Sequence, residues 1–212
     1  MDSAEKTGRF SFLGGALPLD FCNTADWHSS EQPIERFLRY ADIAAWAEEA
    51  GVVEPDDRRT LEEDADLRPH AAEAAREEAV RFRETLFRAF SAVARGVSPG
   101  GSDLREIERR YHAAQTRRRL ADREGRIGWE WNFSGGEPLT DRILCPIAQA
   151  AAELLTSPQK DKIRRCEGPP GCGWLFLDAT KNRSRRWCSM RDCGNREKAR
   201  RFQQRKKRRP ES

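Results

Sequence analysis

The feature that most constrains this chain is the spacing of four of its cysteines. Cys166, Cys172, Cys188 and Cys193 form two close pairs, in the pattern C-x5-C-x15-C-x4-C. Two such pairs, joined by a segment long enough to fold back, are typical of a tetrahedral zinc site. Four thiolates leave no coordination position for water, so the spacing predicts one structural Zn²⁺ ion.

Disulfides and unligated buried thiols are the competing interpretations of these cysteines. Disulfides suit secreted chains, and the first residues, MDSAEKTGRF, lack the basic start and apolar stretch of a signal peptide. No apolar run approaches the roughly 20 residues that cross a bilayer. We therefore expect a cytoplasmic protein in which the four cysteines bind zinc.

The remaining cysteines and the histidines do not extend this pattern. Cys22 and Cys145 lie in apolar surroundings far from the four, which predicts buried cysteines that bind no metal. The three histidines, His28, His70 and His112, are scattered along the chain and form no ligand pair. A second metal site is therefore not expected.

The residues around the cysteines predict a small zinc finger. Glycines and prolines between Cys166 and Cys172 favour a tight turn, and residues 174–178 are apolar and aromatic, as in a strand. Residues 185–188 would form the returning strand of a hairpin. From about Cys193 the composition favours a helix, so the plan is treble-clef-like.

The charges of the chain are unevenly distributed. Residues 160–212 hold 18 Lys and Arg against 6 Asp and Glu, a net charge of +12, whereas residues 1–159 hold 21 against 29, a net charge of −8. Such asymmetry favours a polyanionic partner for the basic part, although charge alone fits a solvated tail without a partner equally well.

The basic segment offers cations that could contact duplex DNA, through phosphates or through base edges in the major groove. We interpret Asn195 as a helix-start residue and 206–209 as a phosphate-attracting tail. The predicted nucleic-acid contacts are Arg183, Arg185, Arg186, Arg191, Arg196, Lys198, Arg200, Arg201, Gln203 and Arg205.

The apolar residues of the same segment are predicted to form its core. Ala199 and Phe202 lie three residues apart on the helix, and we expect them to pack near Trp187. Trp174, Phe176 and Trp187 could stack on unpaired bases, but two short strands need apolar residues between them and the helix. Binding of single strands or RNA is therefore the second interpretation.

The acidic remainder predicts an α+β fold that is mainly helical with a small β-sheet. Helices are expected at about 33–50, 69–95, from Ser102 or Asp103, and at 140–156, where Pro146 could introduce a kink. Aromatic and apolar residues alternate with small or polar ones over 127–133, which predicts a strand whose aromatic side faces the core. The glycines at 135–136 are expected to end this strand, and it is expected to pair with a strand at 10–24. We divide the chain into domains 1–158 and 159–212.

The N-terminal region offers candidate residues for a ligand pocket. Asp20, Asn23 and His28 are polar residues close in sequence, although local side-chain-to-backbone bonds explain the first two equally well. The chain carries no GxSxG, P-loop, GxGxxG or HExxH motif. We therefore expect a protein that is not an enzyme, with no catalytic residues.

Two stretches of the chain resemble known families. The run from Cys172 to Asp178, the segment 182–190 and the tetrapeptide Cys193-Gly-Asn-Arg resemble the CGNR zinc finger, and residues 14–24 resemble the start of the ABATE domain. The resemblance implies a bacterial transcription regulator related to stress, with a DNA-binding finger. We expect the body to sense a small-molecule effector or to form a homodimer, with an RNA- or protein-interaction module or an enzyme as alternatives.

Overall fold

A computed structural model describes residues 9–133 and 137–207 of the chain. Helices and short antiparallel strand pairs alternate along it, which confirms the α+β class. The helices are α1 (Leu17–Cys22), α2 (Tyr40–Glu49), α3 (Pro55–Leu67), α4 (Pro69–Ala94), α5 (Gly101–Gln115), α6 (Asp141–Thr156) and α7 (Asn195–Lys207). The strands are β1 (Ala25–Asp26), β2 (Ile34–Glu35), β3 (Arg118–Arg123), β4 (Arg126–Trp131), β5 (Ile163–Arg165) and β6 (Leu175–Leu177).

The long helix α4 is the centre of the body. Its predicted apolar period is confirmed: Ala79, Phe82 and Leu86 face inward and are at most 1% exposed. Helices α1, α2, α3, α5 and α6 all pack against it, because each brings an apolar face to the same stripe. No helix among the described residues is both long and apolar enough to cross a membrane.

The helical boundaries match the prediction in the second half of the body. Helix α6 spans Asp141–Thr156 and contains Pro146 within it. Helix α5 begins at Gly101, and neither predicted cap is used, since Asp103 pairs instead with Arg88 of α4 at 2.7 Å. Helix α3 was not predicted from the sequence. Only Leu61 and Ala65 of its residues are buried, so it lacks a clear apolar period.

The predicted helix over 33–50 is wrong at its start. Residues Ile34–Glu35 belong to β2, and α2 begins at Tyr40. The buried carboxylate of Asp42 accepts the backbone N–H groups of Leu38 and Arg39, at 2.9 and 3.0 Å, which satisfies donors at the helix start. A carboxylate in the first turn of α2 thus fixes where this helix begins.

The predicted pairing of 10–24 with 126–133 is also wrong. Residues Leu17–Cys22 form α1, and β4 pairs with β3, with Leu120 opposite Trp129 and Gly128 opposite Ala121. The aromatic side of β4 does not face the core, since Trp129 is 58% exposed. The glycines at 135–136, expected to end the strand, lie outside the described residues.

The finger also departs from its predicted hairpin. Strand β6 pairs with β5, with Ile163 opposite Leu177, and residues 185–188 form no strand. A π-helical turn, Met190–Gly194, leads into α7. Phe202 does not pack on the finger, because it is 70% exposed, and Ala199 is exposed as well.

The finger strands share the core of the body. Ile163 of β5 and Leu175 of β6 belong to the same buried cluster as the helices, at 1% and 0% exposure. Strand β5 packs on α4, and β6 packs on α1 and α4. The division into domains 1–158 and 159–212 stays a prediction, and any test of it must account for this shared core.

Candidate metal centre and basic surface

The four predicted zinc ligands converge in the structure. The sulfur atoms of Cys166, Cys172, Cys188 and Cys193 all lie within 4.8 Å of one another, and all four residues are buried. The Sγ atom of Cys188 lies 3.7 Å from those of Cys172 and Cys193. A tetrahedral zinc ion with bonds of about 2.3 Å needs sulfurs about 3.8 Å apart, so the geometry fits one structural zinc ion.

The turn around Cys166 supports negative charge on its sulfur. The backbone N–H groups of Gly168 and Cys188 donate to Cys166 Sγ, at 3.4 and 3.3 Å. The pKa of the Cys166 thiol is lowered by the three neighbouring finger cysteines and by the hydrogen bond from the Cys188 N–H. A Cβ atom at Gly168 would come within 2.6 Å of Cys193 Sγ, so this position requires glycine.

The other two cysteines are buried apart from this cluster, as expected. Burial raises the pKa of the Cys145 thiol to about 12, and it raises the pKa of the Cys22 thiol well above its ordinary value. A thiol with a raised pKa is a poor metal ligand and a poor nucleophile at neutral pH. Within the described residues, the four finger cysteines are the one cluster with metal-binding geometry.

The turn at residues 168–173, beside the zinc ligands, packs against a loop of the body. The Ser29 N–H donates to the carbonyl of Gly171 at 3.1 Å. A Cβ atom at Gly173, where φ is +69°, would overlap Ser29 Oγ at 1.8 Å, so the two segments fit only because this residue is glycine. Trp27, two residues before Ser29 in this loop, also has a positive φ of 53°.

A pair of hydrogen bonds fastens the finger strand β6 to the body. Asn23 Nδ2 donates to the Leu175 carbonyl at 2.9 Å, and the Leu175 N–H donates to Asn23 Oδ1 at 2.8 Å. Both residues are buried. Trp174 adds a third bond, from its Nε1 to the carbonyl of Ala25 at 3.0 Å. The metal centre is therefore anchored to the N-terminal region.

Asp178 organises the turn after β6, a role that its position in the sequence did not reveal. Its carboxylate accepts from the Thr180 N–H at 2.9 Å, the Thr180 hydroxyl at 2.6 Å and the Arg185 N–H at 2.9 Å. The residue is 1% exposed. An aspartate that ends an apolar run before a Thr-containing turn is the signal that could have identified it.

Half of the predicted nucleic-acid contacts are engaged within the protein. Arg185 lies over Phe176 and donates to the carbonyls of Trp187 and Cys188, while Arg186 pairs with Glu167. These contacts of the two arginines hold the segment 185–188 in place, although the segment does not form the predicted strand.

Helix α7 uses two more arginines for an internal ion-pair cluster. Arg200 and Arg201 both pair with Glu197, at 2.8 and 2.7 Å, and their hydrogen bonds lower the pKa of Glu197 to about 2. The guanidinium of Arg196 lies 4.5 Å from the ring centroid of Trp27 in the body. These side chains therefore stabilise α7 and its contact with the body.

The remaining predicted contacts form an outward surface, which we call the free basic surface. Its members are exposed and make no ion pair with another described residue. They are Arg183, Arg191, Lys198, Gln203 and Arg205. Asn195 is the first residue of α7, as predicted, and its Nδ2 donates to the Arg191 carbonyl at 2.9 Å. Residues 208–209 of the predicted tail lie outside the described part.

The three candidate pocket residues are not brought together in one cavity wall. Asp20 accepts the Gly14 N–H at 2.7 Å, and burial raises its pKa to about 6. His28 lies 2.9 Å from Glu84 and stacks on Phe87. Only Asn23 of the three borders the cavity described next.

A cavity of about 400 Å³ lies where the body meets the finger. Aromatic rings from both sides line it, Phe10 and Trp27 from the body and Trp174 from the finger. Arg36 and Arg196 also reach its wall, as do three of the zinc ligands. The space is of a size that suits a small molecule.

Comparisons with known families agree with this geometry. A family model named ABATE, with the description "Putative stress-induced transcription regulator", matches residues 15–158. The model of the CGNR zinc finger matches residues 162–206. No curated protein matches the chain.

Proposed function

The chain belongs to the ABATE family and ends in a CGNR zinc finger, and from this premise we propose that it is a regulator that binds duplex DNA. The observation that carries the proposal is the free basic surface. Its cations stand on α7 and on the segment before it, which the zinc-binding cysteines hold in place. Unpaired Arg and Lys side chains bind phosphates by releasing counterions.

The salt dependence of binding tests this proposal. For the zinc-loaded full chain, four unpaired cations predict that log K falls against log salt concentration with a slope of at least about −3. A Lys198→Gln, Arg205→Gln double variant should bind more weakly, with a slope about 2 units less steep. Arg105→Gln is the matched control, because Arg105 is an exposed arginine of the body without an ion pair among the described residues.

Two results would contradict DNA binding by the finger. One is a full chain that binds no duplex with zinc present, and the other is an Arg105→Gln variant that weakens binding as much as the double variant. Selection of bound sequences from a random duplex pool then separates a regulator with an operator from general attraction to phosphates.

A small-molecule effector would fit the cavity between the body and the finger. Arg196 and three zinc ligands line the same cavity, so a bound effector would contact the first turn of α7. We expect such an effector to change DNA affinity only if its own affinity differs between the DNA-free and the DNA-bound protein. Thermal-shift screening of small molecules, repeated with DNA affinity as the readout, tests this part of the proposal.

Phe202 is the observation that favours the alternative function, a protein-interaction module. A phenylalanine that is 70% exposed on a helix can anchor a protein partner. Capture of a protein partner that Phe202→Ala abolishes, together with absent duplex binding, would favour this alternative. A preference for structured RNA in competition would favour an RNA-binding module instead.

The proposal assigns no catalytic role to the chain. Four cysteine ligands complete the tetrahedral coordination of zinc, so the metal would stabilise the finger without activating water. Asp20 has a raised pKa, but it faces the backbone of Gly14, and the cavity wall beside it is formed by other residues.

A further inference from the structure

The hairpin β3–β4 stands out from the helical body. Within the described residues it forms a two-stranded sheet by itself, so no described strand pairs with the outer edge of β4. A shallow groove of about 550 Å³ lies on the hairpin, lined by Ala121 and Arg123 of β3 and by β4 residues from Arg126 to Trp131. An open edge presents unpaired backbone N–H and C=O groups to any strand that approaches it.

One face of the hairpin carries exposed apolar side chains beside Arg118 and Asp122. Leu120, Ile127 and Trp129 lie on this face, because Leu120 is opposite Trp129 and Asp122 is opposite Ile127. They are 62%, 76% and 58% exposed. Large apolar side chains that are exposed together on one face mark an interaction surface.

The sequence of β4 is complementary to itself when two copies run antiparallel. With Gly128 opposite Gly128 of a second copy, Ile127 lies opposite the second Trp129, and Arg126 lies opposite the second Glu130. Both the apolar pair and the opposite-charge pair then occur twice, since the arrangement is two-fold symmetric. A Cβ atom at Gly128 meets nothing within 4 Å, so a side chain can be introduced there without a clash.

Neighbouring registers lose this complementarity. Centring the pair on Trp129 places Arg126 opposite Asn132 and Gly128 opposite Glu130, which leaves the arginine without an acid. A slip by one residue places the apolar face of one copy beside the polar face of the other. The register centred on Gly128 is therefore favoured by both charge and burial.

We propose that two copies of this chain form a dimer by pairing β4 with β4 about a two-fold axis at Gly128, giving a four-stranded sheet. The apolar face of the hairpin becomes continuous across the axis. The pairing goes beyond the proposed function and does not depend on DNA binding, so it is tested with the full chain and without DNA.

Disulfide trapping tests the register directly. In zinc-loaded Gly128→Cys, the two new thiols face each other across the axis, at a separation within the range for a disulfide, so mild oxidation should give a covalent dimer. Ala121→Cys is the matched control: Ala121 lies opposite Gly128 on β3, and three strand spacings of about 4.8 Å separate it from its copy. A covalent dimer that forms equally in both variants, or in neither, overturns the proposal.

Sedimentation of the unmodified chain and two variants tests the interface energetically. Arg126→Glu places acids opposite one another, and Trp129→Thr removes the apolar pair, each at two symmetric places. We expect each change to raise the dimer dissociation constant roughly tenfold or more. Leu67→Thr changes another exposed apolar residue, at the end of α3, and should have no effect. A monomeric unmodified chain, or a dimer that both variants leave unchanged, contradicts the pairing.

Discussion

The hydrogen-bonded pair between Asn23 and Leu175 allows a sharp test of how the finger is held. Asn23 lies in the body just after α1, and Leu175 begins β6 in the finger. The side chain of Asn23 satisfies both the N–H and the C=O of Leu175, at 2.8 and 2.9 Å. Asn23→Ala removes both partners at once and leaves the two backbone groups of Leu175 buried.

The expected cost follows from the burial of these groups. Leu175 is 0% exposed and Asn23 is 4% exposed, so water does not replace the lost amide without a local opening. Each buried donor or acceptor left without a partner costs about 1–3 kcal/mol. We therefore expect Asn23→Ala to lower the free energy of unfolding by about 4 kcal/mol, which is a large part of the stability of a typical domain.

The assay is urea unfolding of the zinc-loaded full chain with two readouts. Far-UV circular dichroism reports the body helices, and a colorimetric chelator reports release of zinc. Because Leu175 belongs to the same buried cluster as α4, we expect both transitions to shift together to lower urea. Asn182→Ala, in an exposed turn of the finger, is the matched control and should change stability by less than about 0.5 kcal/mol.

One result would refute this reasoning. If Asn23→Ala releases zinc at lower urea while the helical transition stays in place, the finger and the body unfold separately. The division at 158–159 would then describe two independent folding units, and the shared core of Ile163 and Leu175 would contribute little to cooperativity.

Further predictions concern a buried acid, a glycine and the metal. The pKa of Asp20 is raised to about 6 by burial, so the native protein binds this proton more tightly than the unfolded chain and loses stability as pH rises from about 4 to 6. Asp20→Asn should therefore be more stable than the parent above pH 6, by up to about 3 kcal/mol, with the difference vanishing near pH 4 in urea titrations. Gly173→Ala should destabilise more than Gly51→Ala, because both have φ of +69° but only the first meets another residue, Ser29. Chelation of zinc at pH 7 should lower the melting temperature and the helical signal of α7, and added zinc should restore both.

The parts of the fold predicted from the sequence depend on short-range patterns. The zinc ligands follow from cysteine spacing, and α4 follows from an apolar period that repeats through Ala79, Phe82 and Leu86. Each signal lies within a few turns of chain. Such elements can be predicted from nearby residues alone, because the spacing of the apolar residues shows both the type of element and the face that it buries.

The missed parts depend on particular side-chain contacts and on exposure rather than on a periodic pattern. Strand β3 reads RRLADR, without the alternation that marks a half-buried strand, because neither of its faces is covered by the body. The start of α2 depends on Asp42, and the course of β2 depends on Glu35, which binds the buried Arg83 of α4. None of these pairings leaves a periodic signal in the sequence.

Arg196 shows why charge alone misjudges the basic surface. It belongs to the Cys-Gly-Asn-Arg tetrapeptide and was predicted to contact nucleic acid, yet its guanidinium lies over the ring of Trp27, 4.5 Å from the centroid. A cation over an indole ring contributes about 0.5–1 kcal/mol at an exposed site. Its removal should therefore loosen the finger from the body before it changes any phosphate contact, whereas removal of Lys198 or Arg205 should leave stability intact. Measuring stability beside DNA affinity for each variant separates the cations that build the finger from those available to a polyanion.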